Sequence, residues 1–122
     1  MKRILVLDDE QDVDFIFKVM LEDEIAEGKL QIDFFSNPQE CLDDLAKRPN
    51  DVYDYILSDI NMPQINGVQF ARILRNRGYK GRIAFISAYL MDDYEDDMKI
   101  LNIEHFFSKP LNFNEIKEVL QI

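Results

Sequence analysis

Short apolar runs alternate with longer amphipathic segments along the whole chain. Arg3–Leu7 (RILVL) is almost continuously apolar, which is typical of a strand that is buried on both faces of a sheet. Further runs of similar length are separated from it by turn-forming Gly, Pro, Asn and Asp residues. The pattern predicts strands at Arg3–Leu7, Gln31–Phe35, Tyr53–Ser58, Arg82–Ile86 and His105–Phe107.

The segments between these runs carry apolar residues at helical spacing. Val13, Phe17 and Leu21, for example, recur every four residues and would form one buried helix face. Strict alternation of strands and helices favours an α/β fold, in which right-handed crossovers build a parallel sheet covered on both faces. The predicted helices are Asp12–Ala26, a segment from Pro38 to before Pro49, a segment from Val68 to before Gly78, residues 91–101, and Phe113–Leu120.

Composition narrows the class of protein. A chain of 122 residues is expected to form one domain, residues 1–122. A net charge of −10 opposes direct binding to nucleic acid phosphates. The single cysteine, Cys41, excludes an internal disulfide and favours a reducing, cytoplasmic location. No apolar run approaches the roughly 20 residues that would span a membrane.

Polar side chains follow four of the five predicted strands. Asp8 and Asp9 follow the first, Asp59 the third, Ser87 the fourth and Lys109 the fifth. Ligands of parallel α/β sheets bind beyond the carboxyl ends of the strands, so these side chains are expected to converge. Three neighbouring carboxylates repel one another unless a cation lies between them, and oxygen ligands favour Mg²⁺ or Mn²⁺. The set therefore predicts a metal-assisted phosphoryl-transfer site.

Taken singly, these residues have simpler interpretations. Asp8 or Asp9 would serve as a helix cap, and so would a serine after a strand such as Ser87. Lys109 before Pro110 would be a surface lysine at a turn, and the Lys109–Pro110 bond is a candidate cis peptide. The position of Asp59 directly after a buried strand is what favours the functional interpretation of the set.

The ordered motifs LVLDDE, SDINMP with Gly67, ISA and SKP strongly resemble the receiver domain of two-component response regulators. The resemblance extends over essentially the whole chain. It implies a flavodoxin-like, doubly wound sheet of five parallel strands in the order 2-1-3-4-5 with five helices. It also implies a stand-alone receiver, or a domain cut from a larger protein.

The resemblance also implies roles for residues around the predicted metal. Asp59 would be the phosphoacceptor, which forms an acyl phosphate. Asp9 would be the principal side-chain ligand of Mg²⁺, and Asp8 would bind partly through a metal-bound water. Asn61 would provide its backbone carbonyl to the same ion, with Mn²⁺ as an alternative metal.

Two further positions match the switch residues of the family. Ser87 matches the hydroxyl that turns towards the phosphoryl group, and Phe106 matches the aromatic residue that moves with it. Phe106 lacks the hydroxyl of the tyrosine that is frequent there, so any switch would be purely steric and apolar. Lys109 matches the lysine that contacts the phosphoryl group.

The function implied is phosphorelay signalling. A histidine kinase or a histidine phosphotransfer protein would donate the phosphoryl group, and a downstream protein would bind the surface formed by residues 91–101, the fifth strand and the last helix. The chain would catalyse only its own phosphorylation and dephosphorylation, without turnover of a substrate. One alternative is an unphosphorylated receiver-like binding module. A haloacid dehalogenase type of hydrolase is a weaker one, since that chemistry generally uses Asp-x-Asp and this chain has Asp8-Asp9-Glu10.

Overall fold

The computed structural model describes residues 1–122 and contains one parallel sheet of five strands. The strand order is β2-β1-β3-β4-β5, which confirms the predicted doubly wound topology. Each predicted strand is present, with ends that agree to within two residues. The strands are β1 (Lys2–Leu7), β2 (Leu30–Phe35), β3 (Tyr55–Asp59), β4 (Arg82–Ser87) and β5 (His105–Ser108).

Helices connect the strands and cover both faces of the sheet. Asn37, Asn66 and Asn112 cap three of them, because each side-chain oxygen accepts hydrogen bonds from backbone N–H groups of the first turn. A 3₁₀ turn at Met91–Tyr94 precedes the fifth helix. The helices are α1 (Asp12–Met20), α2 (Glu22–Ala26), α3 (Pro38–Ala46), α4 (Gly67–Asn76), α5 (Glu95–Ile100) and α6 (Phe113–Leu120).

Two of the predicted helices need correction. The predicted helix Asp12–Ala26 is divided at Leu21, whose φ of −110° and ψ of 20° depart from helical values, so the fold has six helices and not five. Leu21 is fully buried and keeps the helical hydrogen bond to Phe17 O, so the apolar spacing continues through the break and hides it. The predicted helix at 91–101 begins as the 3₁₀ turn and becomes α-helical only at Glu95.

The core consists of two layers, one on each face of the sheet. On one face, Phe17 of α1 packs edge-to-face on Phe113 of α6, with ring centroids 5.1 Å apart. On the other face, α3, α4 and α5 place Leu42, Phe70 and Met98 in a second apolar cluster. Burial on both sides explains why the central stretches of β1, β3 and β4 are continuously apolar. The longest helix, α4, has 10 residues, too few to span a membrane.

Candidate functional site

Asp59 lies at the last position of β3, at the carboxyl edge of the sheet. The strand is buried throughout, and Asp59 itself is 4% exposed. The chain leaves the sheet immediately afterwards, and Gly67 N–H donates to Ile60 O at 2.9 Å as α4 begins. A β-carbon on Gly67 would overlap the carbonyl oxygen of Asp59 and come within 2.8 Å of Ile60 Cα. Glycine at position 67 therefore allows the strand end that carries Asp59 to pack against α4.

Two more carboxylates follow β1 and lie beside Asp59. Asp8 is fully buried, and its Oδ1 accepts a hydrogen bond from Glu10 N–H at 2.9 Å. Asp9 is exposed at the mouth of the site. One oxygen from each of Asp8, Asp9 and Asp59 falls within 4.8 Å of the others. The structure thus brings together the three acids that the sequence placed after two separate strands.

Lys109 provides the positive charge of the site. The Lys109–Pro110 peptide bond is cis, as anticipated, and the backbone N–H of Lys109 donates to Ser87 O at 2.8 Å. The ammonium lies 2.9 Å from Asp8 Oδ2, and 3.7 Å from both Asp59 Oδ2 and Glu10 Oε1. The ammonium therefore contacts three acids, and with Asp9 the site holds four carboxylates, so it carries an excess of negative charge.

Burial and the excess of negative charge shift the pKa values of the buried groups. Burial, with the charge of Asp8 second, raises the pKa of Asp59 to about 7, and Lys109 only partly opposes this. Burial also raises the pKa of Asp8, although the hydrogen bond from Glu10 and the contact with Lys109 lower it. For Lys109, burial alone would lower the pKa, but the bond to Asp8 and the surrounding acids raise it.

The donor set fits a hard divalent cation. Three carboxylates with a single lysine leave uncompensated negative charge in a partly dry cleft, and all the donors are oxygen atoms. The carbonyl oxygen of Asn61 accepts no hydrogen bond within the protein, so it is free to serve as a further ligand. Asp8, Asp9, Asp59 and Asn61 are the residues that would hold Mg²⁺, which would neutralise their charge.

Ser87 ends β4, the strand that pairs with β3 beside Asp59. It is fully buried at the end of β4, and its Oγ accepts hydrogen bonds from Tyr89 N–H at 2.9 Å and Asn61 Nδ2 at 3.3 Å. Phe106 lies beside Phe85 in the β4–β5 ladder, is half-buried, and stacks on Tyr94 with ring centroids 6.2 Å apart.

Two contributions were not anticipated from the sequence. Glu10 reaches Lys109, and only the run of three consecutive acids after β1 hinted at this. The side chain of Asn61 donates to Ser87 Oγ, whereas the sequence had assigned a role only to its backbone carbonyl. An amide so close to the predicted phosphoacceptor, in SDINMP, was the available signal.

Comparison with known proteins shows the family to which this chain belongs. The family model described as the response regulator receiver domain matches residues 4–121 of this sequence. The chain belongs to that family. The transcriptional regulatory protein PcoR of Escherichia coli is 30% identical to this receiver domain over 118 residues, covering 95% of the chain but 48% of PcoR. The chain thus spans about half the length of that relative.

Solved structures agree in fold. TrrA of Thermotoga maritima, crystallised with Mg²⁺ and BeF, is 31% identical with a TM-score of 0.77, and the match covers 99% of this chain and 97% of TrrA. The chemotaxis protein CheY4 of Vibrio cholerae has a TM-score of 0.83 at 23% identity, covering 99% of this chain and 97% of CheY4, and supports the fold alone. Receiver domains are phosphoacceptors that bind Mg²⁺ at an acidic pocket and work with histidine kinases and phosphotransfer proteins. The acidic cluster of this chain corresponds to that pocket.

Proposed function

We propose that this receiver domain accepts a phosphoryl group on Asp59 from the phosphohistidine of a kinase or of a phosphotransfer protein. A carboxylate oxygen of Asp59 forms the new bond to phosphorus while the phosphorus–nitrogen bond of the donor breaks, and the imidazole leaves with that electron pair. The observation that carries the proposal is the burial of Asp59 beside Asp8, Asp9 and Lys109.

The remaining residues of the site stabilise the charge that this transfer brings. Mg²⁺, or Mn²⁺ in its place, would bind the acids and neutralise phosphoryl oxygens. Lys109 lies 3.7 Å from Asp59 Oδ2, within reach of an oxygen added to that carboxylate. Ser87 has a hydroxyl proton to donate, because its Oγ only accepts the hydrogen bonds it now makes.

Phosphorylation would then change the state of the domain. The acyl phosphate adds about −1.5 to −2 charge, by analogy with other phosphorylated side chains, and attracts the Ser87 hydroxyl. We propose that Phe106 moves with Ser87, as the resemblance implies, and alters the surface of the 3₁₀ turn, α5, β5 and α6 for a downstream protein.

Water slowly hydrolyses the acyl phosphate in the same site, without substrate turnover. Buried, unpaired Cys41 is compatible with the cytoplasm as the setting.

A docking face for the donor adjoins the site. Phe15, Ile16, Val19 and Met20 of α1 are 43–72% exposed and form one apolar stripe. The stripe borders a groove of about 340 Å³ whose lining includes Lys109. A donor must present its phosphohistidine to Asp59 while covering nearby surface, and this stripe is continuous with the mouth of the site. We propose that an apolar helix face of the donor packs here.

A first test is intact-mass analysis after incubation with acetyl phosphate, with and without Mg²⁺. The wild type should gain one phosphoryl group that requires Mg²⁺, and Asp59→Asn should gain none. Asp51→Asn, which removes an exposed acid before β3, is the matched control and should be labelled like the wild type. Full labelling of Asp59→Asn would refute the assignment. The absence of any wild-type adduct would favour an unphosphorylated binding module.

A further inference from the structure

A cavity of about 250 Å³ lies between the C-terminal ends of α3 and α4, at the opposite end of β3 from Asp59. The helix α3 ends at Ala46, and Pro49 in the loop that follows cannot continue it. This loop, residues 47–54, leads back to β3 and forms one wall of the cavity. The cavity is therefore separate from the acidic cluster and from the groove beside Lys109.

Most of the cavity wall is apolar. No carboxylate lines the cavity, and the two tyrosines of the wall are only 3% and 6% exposed. An apolar cavity of about 150 Å³ is large enough to admit benzene, so this one has room for a single aromatic ring. The apolar and aromatic side chains of the wall are Leu45, Val52, Tyr53, Ile56, Leu74 and Tyr79.

Arg77 places a cation at the rim that no acid of the chain compensates. Of the six arginines, four pair with acids, and Arg75 donates to four backbone carbonyls. Arg77 makes a single side-chain hydrogen bond, from Nη1 to Leu42 O at 3.1 Å, so most of its five N–H donors are unused. In a chain with a net charge of −10, this guanidinium is conspicuous for having no carboxylate partner.

The rim is held in place from the loop and from α3. Asn50 Nδ2 donates to Arg77 O at 3.4 Å, and the bond from Arg77 to Leu42 O joins the end of α4 to α3. The second arginine of the rim, Arg48, pairs with Asp44 at 2.9 Å and so has its charge compensated. Arg77 is therefore the cation available to a ligand that enters the cavity.

We propose that this cavity binds a small aromatic carboxylate, with the ring between the apolar walls and the carboxylate on the guanidinium of Arg77. A planar guanidinium binds a carboxylate through two parallel hydrogen bonds, and the rings of Tyr53 and Tyr79 offer aromatic contacts. The charged group stays at the exposed rim, so no unpaired charge is buried. An inorganic anion would leave the cavity empty, and a neutral apolar ligand would leave Arg77 unpaired. The inference does not depend on phosphorylation of Asp59.

Titration of the ¹⁵N-labelled protein with phenylacetate, followed by amide NMR shifts, tests the site. Saturable shifts should be concentrated at residues 45–56 and 74–79, with a Kd on the order of 1 mM for so small a ligand. Phenylacetamide has nearly the same shape without the charge and should bind about tenfold more weakly. The comparison of the two ligands uses the wild type alone, so it decides the proposal even where a variant does not fold.

Two variants separate the charge from the cavity. Arg77→Met should reduce phenylacetate affinity about tenfold, to the level of phenylacetamide. Arg72→Met is the matched control, because this exposed arginine of the same helix lies outside the cavity and should leave the affinity unchanged. Ala46→Phe, at an exposed position of the wall, places a ring at the mouth and should weaken both ligands.

Three results would overturn the proposal. The first is the absence of saturable shifts, or shifts centred on Lys109, the cation of the acidic site, with residues 45–56 unaffected. The second is equal affinity for phenylacetate and phenylacetamide. The third is an unchanged affinity for phenylacetate in folded Arg77→Met or Ala46→Phe.

Discussion

The Lys109 ammonium lies 2.9 Å from Asp8 Oδ2, closer than to any other acid of the site. Asp8 is fully buried, so this contact compensates a charge that has no access to solvent. Lys109 therefore stabilises Asp8 in the free protein, and in the proposed transfer it would also contact a phosphoryl oxygen on Asp59.

Replacing Lys109 separates these roles. Lys109→Met should lower the free energy of unfolding by about 1–3 kcal/mol, because it leaves Asp8 buried without its cation. Mg²⁺ should restore more stability to this variant than to the wild type, yet labelling by acetyl phosphate should fall by about tenfold or more. Urea unfolding and intact mass measure the two effects. Lys117→Met, which breaks a pair with Glu24 at 2.8 Å outside the site, should leave labelling unchanged; equal loss in both variants would contradict a specific role.

The raised pKa of Asp59 makes stability depend on pH. The carboxyl titrates near 3.8 when unfolded and at about 7 when folded, so between these values the folded state holds a proton that the unfolded state lacks. Stability from this group is therefore present at low pH and declines as pH rises from about 4 to 7, by on the order of 2–4 kcal/mol. Burial raises the pKa of Asp8 as well, which acts in the same direction.

Urea unfolding of the metal-free protein between pH 5 and 8 measures this effect. The difference in unfolding free energy between Asp59→Asn and the wild type should grow as pH rises, because only the wild type gains a buried charge. Subtracting the variant removes the contribution of the many surface acids. A difference that is constant over this range would show that Asp59 titrates near its ordinary value.

Gly67 should be indispensable for the geometry of Asp59. Gly67→Ala places a β-carbon against the backbone of Asp59 and Ile60, and should cost about 1–3 kcal/mol while reducing labelling. Gly28→Ala is the control: Gly28 has a φ of +73° and open space around it, so alanine there should lower stability by about 1 kcal/mol without affecting phosphorylation. Normal labelling of Gly67→Ala would show that the strand end tolerates displacement.

Asp9 should contribute to metal binding more than its exposure suggests. Asp9→Ala removes one of the three clustered carboxylates and should weaken Mg²⁺ binding by about tenfold or more in calorimetric titration. Asp12→Ala removes another exposed acid, from the first turn of α1, and should leave the affinity unchanged. An identical magnesium affinity in Asp9→Ala and the wild type would refute this ligand.

Much of the fold and the proximity of the site residues followed from the sequence. Parallel strands end at a common edge, so the acids after β1 and β3 and the lysine after β5 converge once the alternation of elements is known. The sequence did not predict the break between α1 and α2 at Leu21, because a buried leucine at helical spacing is compatible with a continuous helix or with a break. Backbone angles, unlike apolar periodicity, distinguish the two.

The individual charge contacts of the site also could not be predicted from the sequence. Lys109 was expected to contact the phosphoryl group, but its ammonium lies closest to Asp8, the most deeply buried carboxylate of the site. Arg75 of α4 donates to four backbone carbonyls, in two turns that apolar spacing does not relate: Tyr79, Gly81, Leu101 and Asn102. Such contacts depend on three-dimensional packing and have no local signature.

The central claim, that Asp59 accepts the phosphoryl group, is tested most directly by trapping the product. Reduction with borohydride converts an aspartyl phosphate to homoserine, which peptide mass spectrometry locates in the chain. After treatment of the wild type with acetyl phosphate and Mg²⁺, we expect homoserine at position 59 and at no other aspartate. Homoserine at Asp8 or Asp9, or its absence from position 59 in a protein that carries the phosphoryl group, would contradict the account.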